Sequence, residues 1–254
     1  MKDHKIAKHY AHRGYHEAPH IPENSMAAFR RAVEHGVGVE FDVHQIADGS
    51  LVIFHDDDLE RMTGVKGQIE DYDLTNLRKL RLKGTDEKIP TLDELLDLFE
   101  DTGLPLCVEI KPARGNYRPL TEAVCKRLDS YKGDFVVESF DPRALIVLKR
   151  LRPEWTRGQL VQDFYKNPDG LTRRQAALLT NLAFNRFVKP DFVAFRFKDK
   201  MRPALRRALE KKGITAVAWT IRSAKEYDAA VKKGCVPIFE RITPEELENL
   251  KHEK

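Results

Sequence analysis

Val37-Gly-Val-Glu-Phe-Asp-Val-His-Gln-Ile-Ala-Asp-Gly-Ser-Leu-Val-Ile-Phe-His55 is the stretch that decides the fold. Two apolar runs, 37–46 and 51–55, flank Asp48-Gly49, a strong signal for a two-residue hairpin turn. The second run therefore returns along the first as an antiparallel arm, with no helix between them. Working outward, further β-rich runs lie at 8–12, 104–110, 135–140, 157–161, 191–196, 214–220 and 235–239. Amphipathic helical stretches follow most of them, at 24–35, 92–100, 119–130, 142–150, 173–186, 201–212, 223–233 and 244–252. Thr91 and Asp141-Pro142 stand at helix starts, and Gly36, Gly213 and Gly234 at helix ends. Setting the arm aside leaves eight parallel strands alternating with helices. The expectation is an α/β chain, one (β/α)₈ barrel over 1–254 with a β-hairpin extension after its second strand.

Composition narrows the function classes. Of 254 residues 41% are hydrophobic and 33% charged, and 44 Lys and Arg against 40 Asp and Glu leave a net charge of +4. The basic residues are scattered, which suits an anionic small molecule better than nucleic acid. No apolar run is long enough to span a membrane, so no stable membrane insertion is expected, and the first ten residues lack the apolar core of a secretory signal. Cys107, Cys125 and Cys235 are odd in number and lack CxxC spacing, as expected of reduced, packed thiols in a cytoplasmic protein. A helix-rich stretch at 166–190 is longer than the usual connection and is assigned no role beyond shaping one side of a site. The oligomeric state is not legible here.

If Asp48 and Gly49 are the two turn residues, Ala47 pairs with Ser50 and Asp42 lies opposite His55, on one face. Glu40 shares that face, two residues along the strand. Carboxylates at an exposed strand edge are the ordinary alternative. Here, however, they sit inside an apolar strand, where an unpaired charge costs several kcal/mol unless it is bonded or bound to metal. Leu104-Pro-Leu-Cys-Val-Glu-Ile-Lys111 repeats the pattern, with Glu109 and Lys111 on one face at the strand end that carries barrel active sites. A structural Glu109–Lys111 ion pair is the alternative for those two. Three converging carboxylates suit Mg²⁺ or Ca²⁺, and no His/Cys cluster has zinc spacing. His12 and Arg13 end the first strand. Arg13 is placed to grip a phosphate, and His12 with His55 to divide proton donor and acceptor work. His4, His9, His16, His20, His35, His44 and His252 are expected at the surface or in local packing.

Taken together, Ala11-His-Arg-Gly14, Pro22-Glu-Asn-Ser25, Ala28-Phe29, Glu40-Phe-Asp42, Asp48-Gly49, His55-Asp56 and Glu109-Ile-Lys111 resemble the glycerophosphodiester phosphodiesterase signature in order and spacing. The likeness resumes at Ser139-Phe140 and Trp219-Thr220. The resemblance implies hydrolysis of small-molecule glycerophosphodiesters to an alcohol and sn-glycerol 3-phosphate. It implies His12 and His55 as acid and base, and a divalent cation on Glu40, Asp42 and Glu109. Arg13 and Lys111 would contact the phosphate, Glu23 and Asn24 would support the site, and Trp219 would line the pocket wall or simply pack in the core. In that family the glycerol's own hydroxyl attacks phosphorus, leaving a cyclic phosphate that is then opened. Two departures stand at the barrel rim: Arg222 where many members carry Asn, and Phe239-Glu-Arg241 where the last strand commonly ends in Thr-Asp. Both are expected to bear on head-group selection and not on the chemistry. Alternatives are the same chemistry on lysophospholipids, which needs an apolar groove, and a barrel that binds phosphoesters without turnover.

Overall fold

The computed structural model describes residues 6–168, 170–199, 201–211 and 213–252. Its strands are β1 (Tyr10–His12), β2 (Val39–Gln45), β3 (Leu51–Ile53), β4 (Leu106–Ile110), β5 (Phe135–Ser139), β6 (Arg157–Val161), β7 (Phe192–Arg196), β8 (Thr215–Ile221) and β9 (Cys235–Phe239). Eight of them are parallel, in the order β1-β9-β8-β7-β6-β5-β4-β2, and β1 pairs with β2 to close the barrel. Only β3 is antiparallel. Val43 pairs with Ile110 of β4 on one side and Ile53 of β3 on the other, so β3 takes the edge that β1 leaves free when it stops at His12.

The helices are α1 (Met26–Glu34), α2 (Glu60–Thr63), α3 (Leu74–Leu77), α4 (Leu92–Phe99), α5 (Tyr117–Leu128), α6 (Pro142–Leu151), α7 (Arg173–Thr180), α8 (Asn185–Val188), α9 (Pro203–Leu209), α10 (Ala224–Lys232) and α11 (Pro244–His252). The expected start signals operate. Thr91 forms a capping box with Glu94, and Asp141 caps α6 with Pro142 in the first turn.

Strand alternation sorts side chains into two layers. Val39, Phe41, Val43, Val108 and Ile110 point outward and pack on Leu95, Leu96, Phe99 and Val124 of the helices. Tyr10, Cys107, Val136, Leu160, Phe192, Ala194, Val217 and Ile238 fill the barrel interior and floor whatever lies above them. At Gly158 an added Cβ would stand 2.0 Å from the Phe192 ring, so glycine lets that ring cross the interior.

Two expectations are corrected. The hairpin is not a two-residue turn: Ile46 N–H donates to Ser50 O at 3.0 Å and Gly49 N–H to Ile46 O at 2.9 Å. Ala47, Asp48 and Gly49 therefore form a three-residue loop, with Gly49 at φ 85 in the left-handed region. The register slips by one, His44 pairs with Val52, and Phe54, not His55, faces Asp42. Second, 173–186 is two short helices and not one, because Leu182 turns left-handed (φ 53) and enters the core. The 56–90 segment lies between β3 and α4. It holds α2 and α3 over a satellite core of Phe54, Leu59, Met62, Ile69, Leu77 and Ile89. Four-residue helices are too short for periodicity to reveal.

Candidate active site

The inward positions at the C-terminal end of the barrel are polar where those below are apolar. His12 stands beside Glu40 across β1 and β2, and Asp42 beside Glu109 across β2 and β4. Carboxylate oxygens of Glu40, Asp42 and Glu109 lie within 4.8 Å of one another, and all three residues are buried. Burial, then the neighbouring carboxylates, push Glu40 well above the ordinary carboxylate range. Burial likewise lifts Glu109 to about 7. Burial pushes Asp42 the same way, but His55, Lys111 and Arg13 together hold it low. Asp42 Oδ1 accepts no hydrogen bond. A buried, oxygen-only trio with two members forced toward protonation is the chemistry a hard divalent cation relieves, so these residues fit such an ion.

Backbone geometry holds the trio in place. Arg13 (φ 54) and Gly14 (φ 80) turn the chain sharply after β1, and Arg13 N–H donates to Glu40 Oε2 at 3.0 Å. A Cβ on Gly14 would meet that of Ala28 at 2.9 Å, so the turn requires glycine. Asn24, also left-handed (φ 52), donates from Nδ2 to Asp42 Oδ2 at 2.8 Å. Lys111 Nζ sits 3.5 Å from Asp42 and 3.4 Å from Glu109. Arg13 Nη1 donates to Glu23 at 2.7 Å, Glu23 also accepts from Arg61, and Arg61 donates on to Asp56. Every residue expected at the site except Trp219 is thus drawn into one hydrogen-bonded or ion-paired neighbourhood. Trp219 lies on the cleft wall, edge-to-face with Phe140 at 5.6 Å.

The two histidines are held alike. His55 Nδ1 donates to Asp56 Oδ1 at 2.6 Å, and His12 Nδ1 donates to Glu240 Oε2 at 2.9 Å. A carboxylate can only accept, so Nδ1 carries the proton and each Nε2 keeps its lone pair. Burial, with the Arg13 charge behind it, lowers His12 to about 4, against Glu240, which raises it. His55 is lowered too, first by burial. Because of the register slip, His55 arrives past the end of the ladder and not across it from Asp42.

Sequence reasoning missed four groups. Glu240 and Arg222, expected to stay clear of the chemistry, are hydrogen-bonded to His12 in a chain: Arg222 Nε donates to Glu240 Oε1 at 2.6 Å while Glu240 holds His12. Period-two alternation from Val236 and Ile238 would have pointed Glu240 inward. His16, expected at the surface or in local packing, lines the cleft with Nε2 3.7 Å from Glu240. Asp56, quoted within the signature but given no role, and Arg61, which carried no signal, tie His55 to Glu23. Glu138, inside the apolar strand Phe135–Ser139, is 1% exposed and stands in register with Glu109. The argument used for Glu40 would have found it. Burial, then Glu109, push it well above the ordinary range. His44 does pack locally, donating from Nδ1 to Glu70 at 2.8 Å, and the three cysteines are free and buried. His4 and the side chain of His252 lie outside what is described.

His12, Arg13, His55, Glu109, Lys111 and Glu240 open into a cleft of about 1810 Å³ at the C-terminal mouth, with Glu40 and Asp42 buried behind them. One side carries His12, Arg13, Glu109 and Lys111; the opposite wall carries Phe140, Phe164, Leu178, Leu179, Phe184 and Trp219. No helix among the described residues is long and apolar enough to cross a membrane.

Known proteins converge on the same reading. The chain is 29% identical over 249 residues to a glycerophosphodiester phosphodiesterase of Caldanaerobacter subterraneus subsp. tengcongensis, covering 94% of this chain and 96% of that protein. It is 35% identical to a human lysophospholipase D over 119 residues, 42% of this chain and 37% of that one. An Oleispira antarctica phosphodiesterase, solved with the product sn-glycerol-3-phosphate, superposes with a TM-score of 0.79 at 25% identity, covering 95% of this chain and 96% of that one. The family model for glycerophosphoryl diester phosphodiesterases matches residues 12–240, and the chain belongs to that family.

Proposed function

We propose that this chain hydrolyses glycerophosphodiesters to an alcohol and sn-glycerol 3-phosphate, with a divalent cation, Mg²⁺ or Ca²⁺, at Glu40, Asp42 and Glu109. The observation that carries the reading is the convergence of three buried carboxylates beside two histidines whose Nδ1 atoms are each tied to a carboxylate. When bound, the cation supplies Lewis-acid neutralisation of charge on the phosphate oxygens. The protein's own residues do the rest. Arg13 and Lys111 face the cleft and add positive charge for the phosphate; Glu23 and Asn24 hold Arg13 and Asp42 in place. One histidine Nε2 accepts the proton of the attacking hydroxyl, and the other delivers a proton to the leaving oxygen. The anionic diester favours the protonated form of that second histidine. Attack by the substrate's own hydroxyl, with water then opening the cyclic phosphate to sn-glycerol 3-phosphate, fits the site, since the Ser139 hydroxyl in the cleft wall is committed to Ile110 O at 2.7 Å. The test is turnover of a panel of glycerophosphodiesters with product identification. Chelation is expected to abolish activity and Mg²⁺ or Ca²⁺ to restore it; full activity after exhaustive chelation overturns the site.

A second reading, lysophospholipids as substrates, is favoured by the apolar wall from Trp219 to Leu178 and Phe184, which offers an acyl chain a dry surface. Lysophospholipids in the same panel decide between the two.

A further inference from the structure

The segment 162–207 carries features that catalysis does not use. It holds eleven Lys and Arg against four Asp, a net charge of +7 in a chain whose total is +4, so the remainder is net negative. Its described residues run from the C-terminal end of β6 through α7, α8 and β7 into α9, and its Phe164, Leu178, Leu179 and Phe184 line the rim of the cleft mouth. Of the segment's four exposed large apolar side chains, Phe187 (47%) lies on α8 ahead of the N-terminal end of β7, while Tyr165 (50%), Leu178 (44%) and Met201 (42%) stand on this rim. Cations stand among them. Arg202 lies 4.9 Å over the Tyr165 ring. Arg174 and Leu178 are four apart on α7 and share a face. Arg173, Arg174 and Arg206 are exposed, and their side chains make no hydrogen bond or ion pair with the described residues.

We propose that this rim docks the protein on an anionic lipid surface. Tyr165, Leu178 and Met201 enter the headgroup boundary, Arg173, Arg174 and Arg206 meet lipid phosphates, and the cleft mouth faces the bilayer. Free guanidinium groups interleaved with exposed aromatic and aliphatic side chains are what an anionic interface recognises, through electrostatic attraction and burial of apolar area together. A nucleic acid would use the cations but gain little from Leu178 and Met201. A second copy of the chain would bring two positive faces together.

Docking is read without turnover, so it is tested apart from the proposed reaction. The full chain is sedimented with phosphatidylcholine vesicles and with equimolar phosphatidylcholine–phosphatidylglycerol vesicles, at low and high ionic strength. Binding is expected only with the anionic vesicles, weakening as salt rises. Arg173→Gln with Arg174→Gln should weaken it about 25-fold, at about fivefold per cation removed. Tyr165→Ser with Met201→Ser should also weaken it, while unfolding temperature and turnover of a water-soluble glycerophosphodiester stay as in the parent. Equal binding to both vesicle types, or none, overturns the proposal. So does binding to an oligothymidylate that depends on the arginines and not on Tyr165 and Met201. Self-association lost in Met201→Ser would assign the rim to a second copy and overturn it as well.

Discussion

Replacing Glu240 with Gln tests the least expected contact in the site. Glu240 serves two donors at once, His12 Nδ1 on Oε2 at 2.9 Å and Arg222 Nε on Oε1 at 2.6 Å. Gln has one acceptor oxygen. If Arg222 keeps it, the amide N–H₂ confronts His12 Nδ1 and favours the tautomer with the proton on Nε2, which reverses the donor and acceptor ends of the ring. A hydrogen bond to a charged group contributes about 1.5–3 kcal/mol, so kcat is expected to fall about 10- to 150-fold. KM should change little, because His12 stands between Glu240 and the reacting atoms. The sign of the pH effect follows from His12, which burial and Arg13 lower to about 4 while Glu240 raises it. Without that carboxylate the value falls further, and whichever limb of the kcat/KM profile His12 sets moves to lower pH. Steady-state kinetics across pH, with ¹⁵N spectra reporting the His12 tautomer, measure both effects. An unchanged tautomer with kcat within about twofold of the parent, when His12→Ala is inactive, refutes the reasoning.

Other consequences are accessible to simple measurements. His12→Ala and His55→Ala should each lower kcat by about 10² to 10⁴, and the double variant by much less than the product of the two, since both act on one proton-transfer sequence; strictly multiplicative losses would separate their roles. His16→Ala is no neutral control, because His16 touches the same carboxylate as His12. Burial raises Glu23, but Arg61 and Arg13 hold it down to about 2 from an ordinary 4.5. A depressed carboxylate stabilises the fold above its unfolded pKa and loses that contribution as pH falls through the folded one. The stability gap between the parent and Glu23→Gln, about 3 kcal/mol at neutral pH, should therefore close between pH 4.5 and 2, and chemical denaturation giving a pH-independent gap would contradict this. Gly158→Ala drives a Cβ to 2.0 Å from Phe192. The expected cost is about 1–3 kcal/mol, a fall in Tm of about 3–10 °C, and an unchanged Tm would mean the ring yields freely.

The sequence by itself determined the eight-stranded plan, because strand and helix periodicities and their start signals are local. Thr91 caps α4 and Asp141 caps α6 as their neighbours dictate. It also marked Glu40, Asp42 and Glu109, since a carboxylate inside an apolar strand is conspicuous wherever the strand ends up. The hairpin register was decided by one loop residue: counting Ala47 into the turn shifts every partner by one and moves His55 off the face of Asp42. That choice rests on Asp48, whose carboxylate accepts from both Ser50 N and Leu74 N, the second a contact from another part of the chain. Glu240 lies 228 residues from His12 and meets it only because β1 pairs with β9 when the barrel closes. Local pattern can say that a side chain points inward. Which inward side chains meet depends on strand order and shear, and those belong to the closed barrel alone.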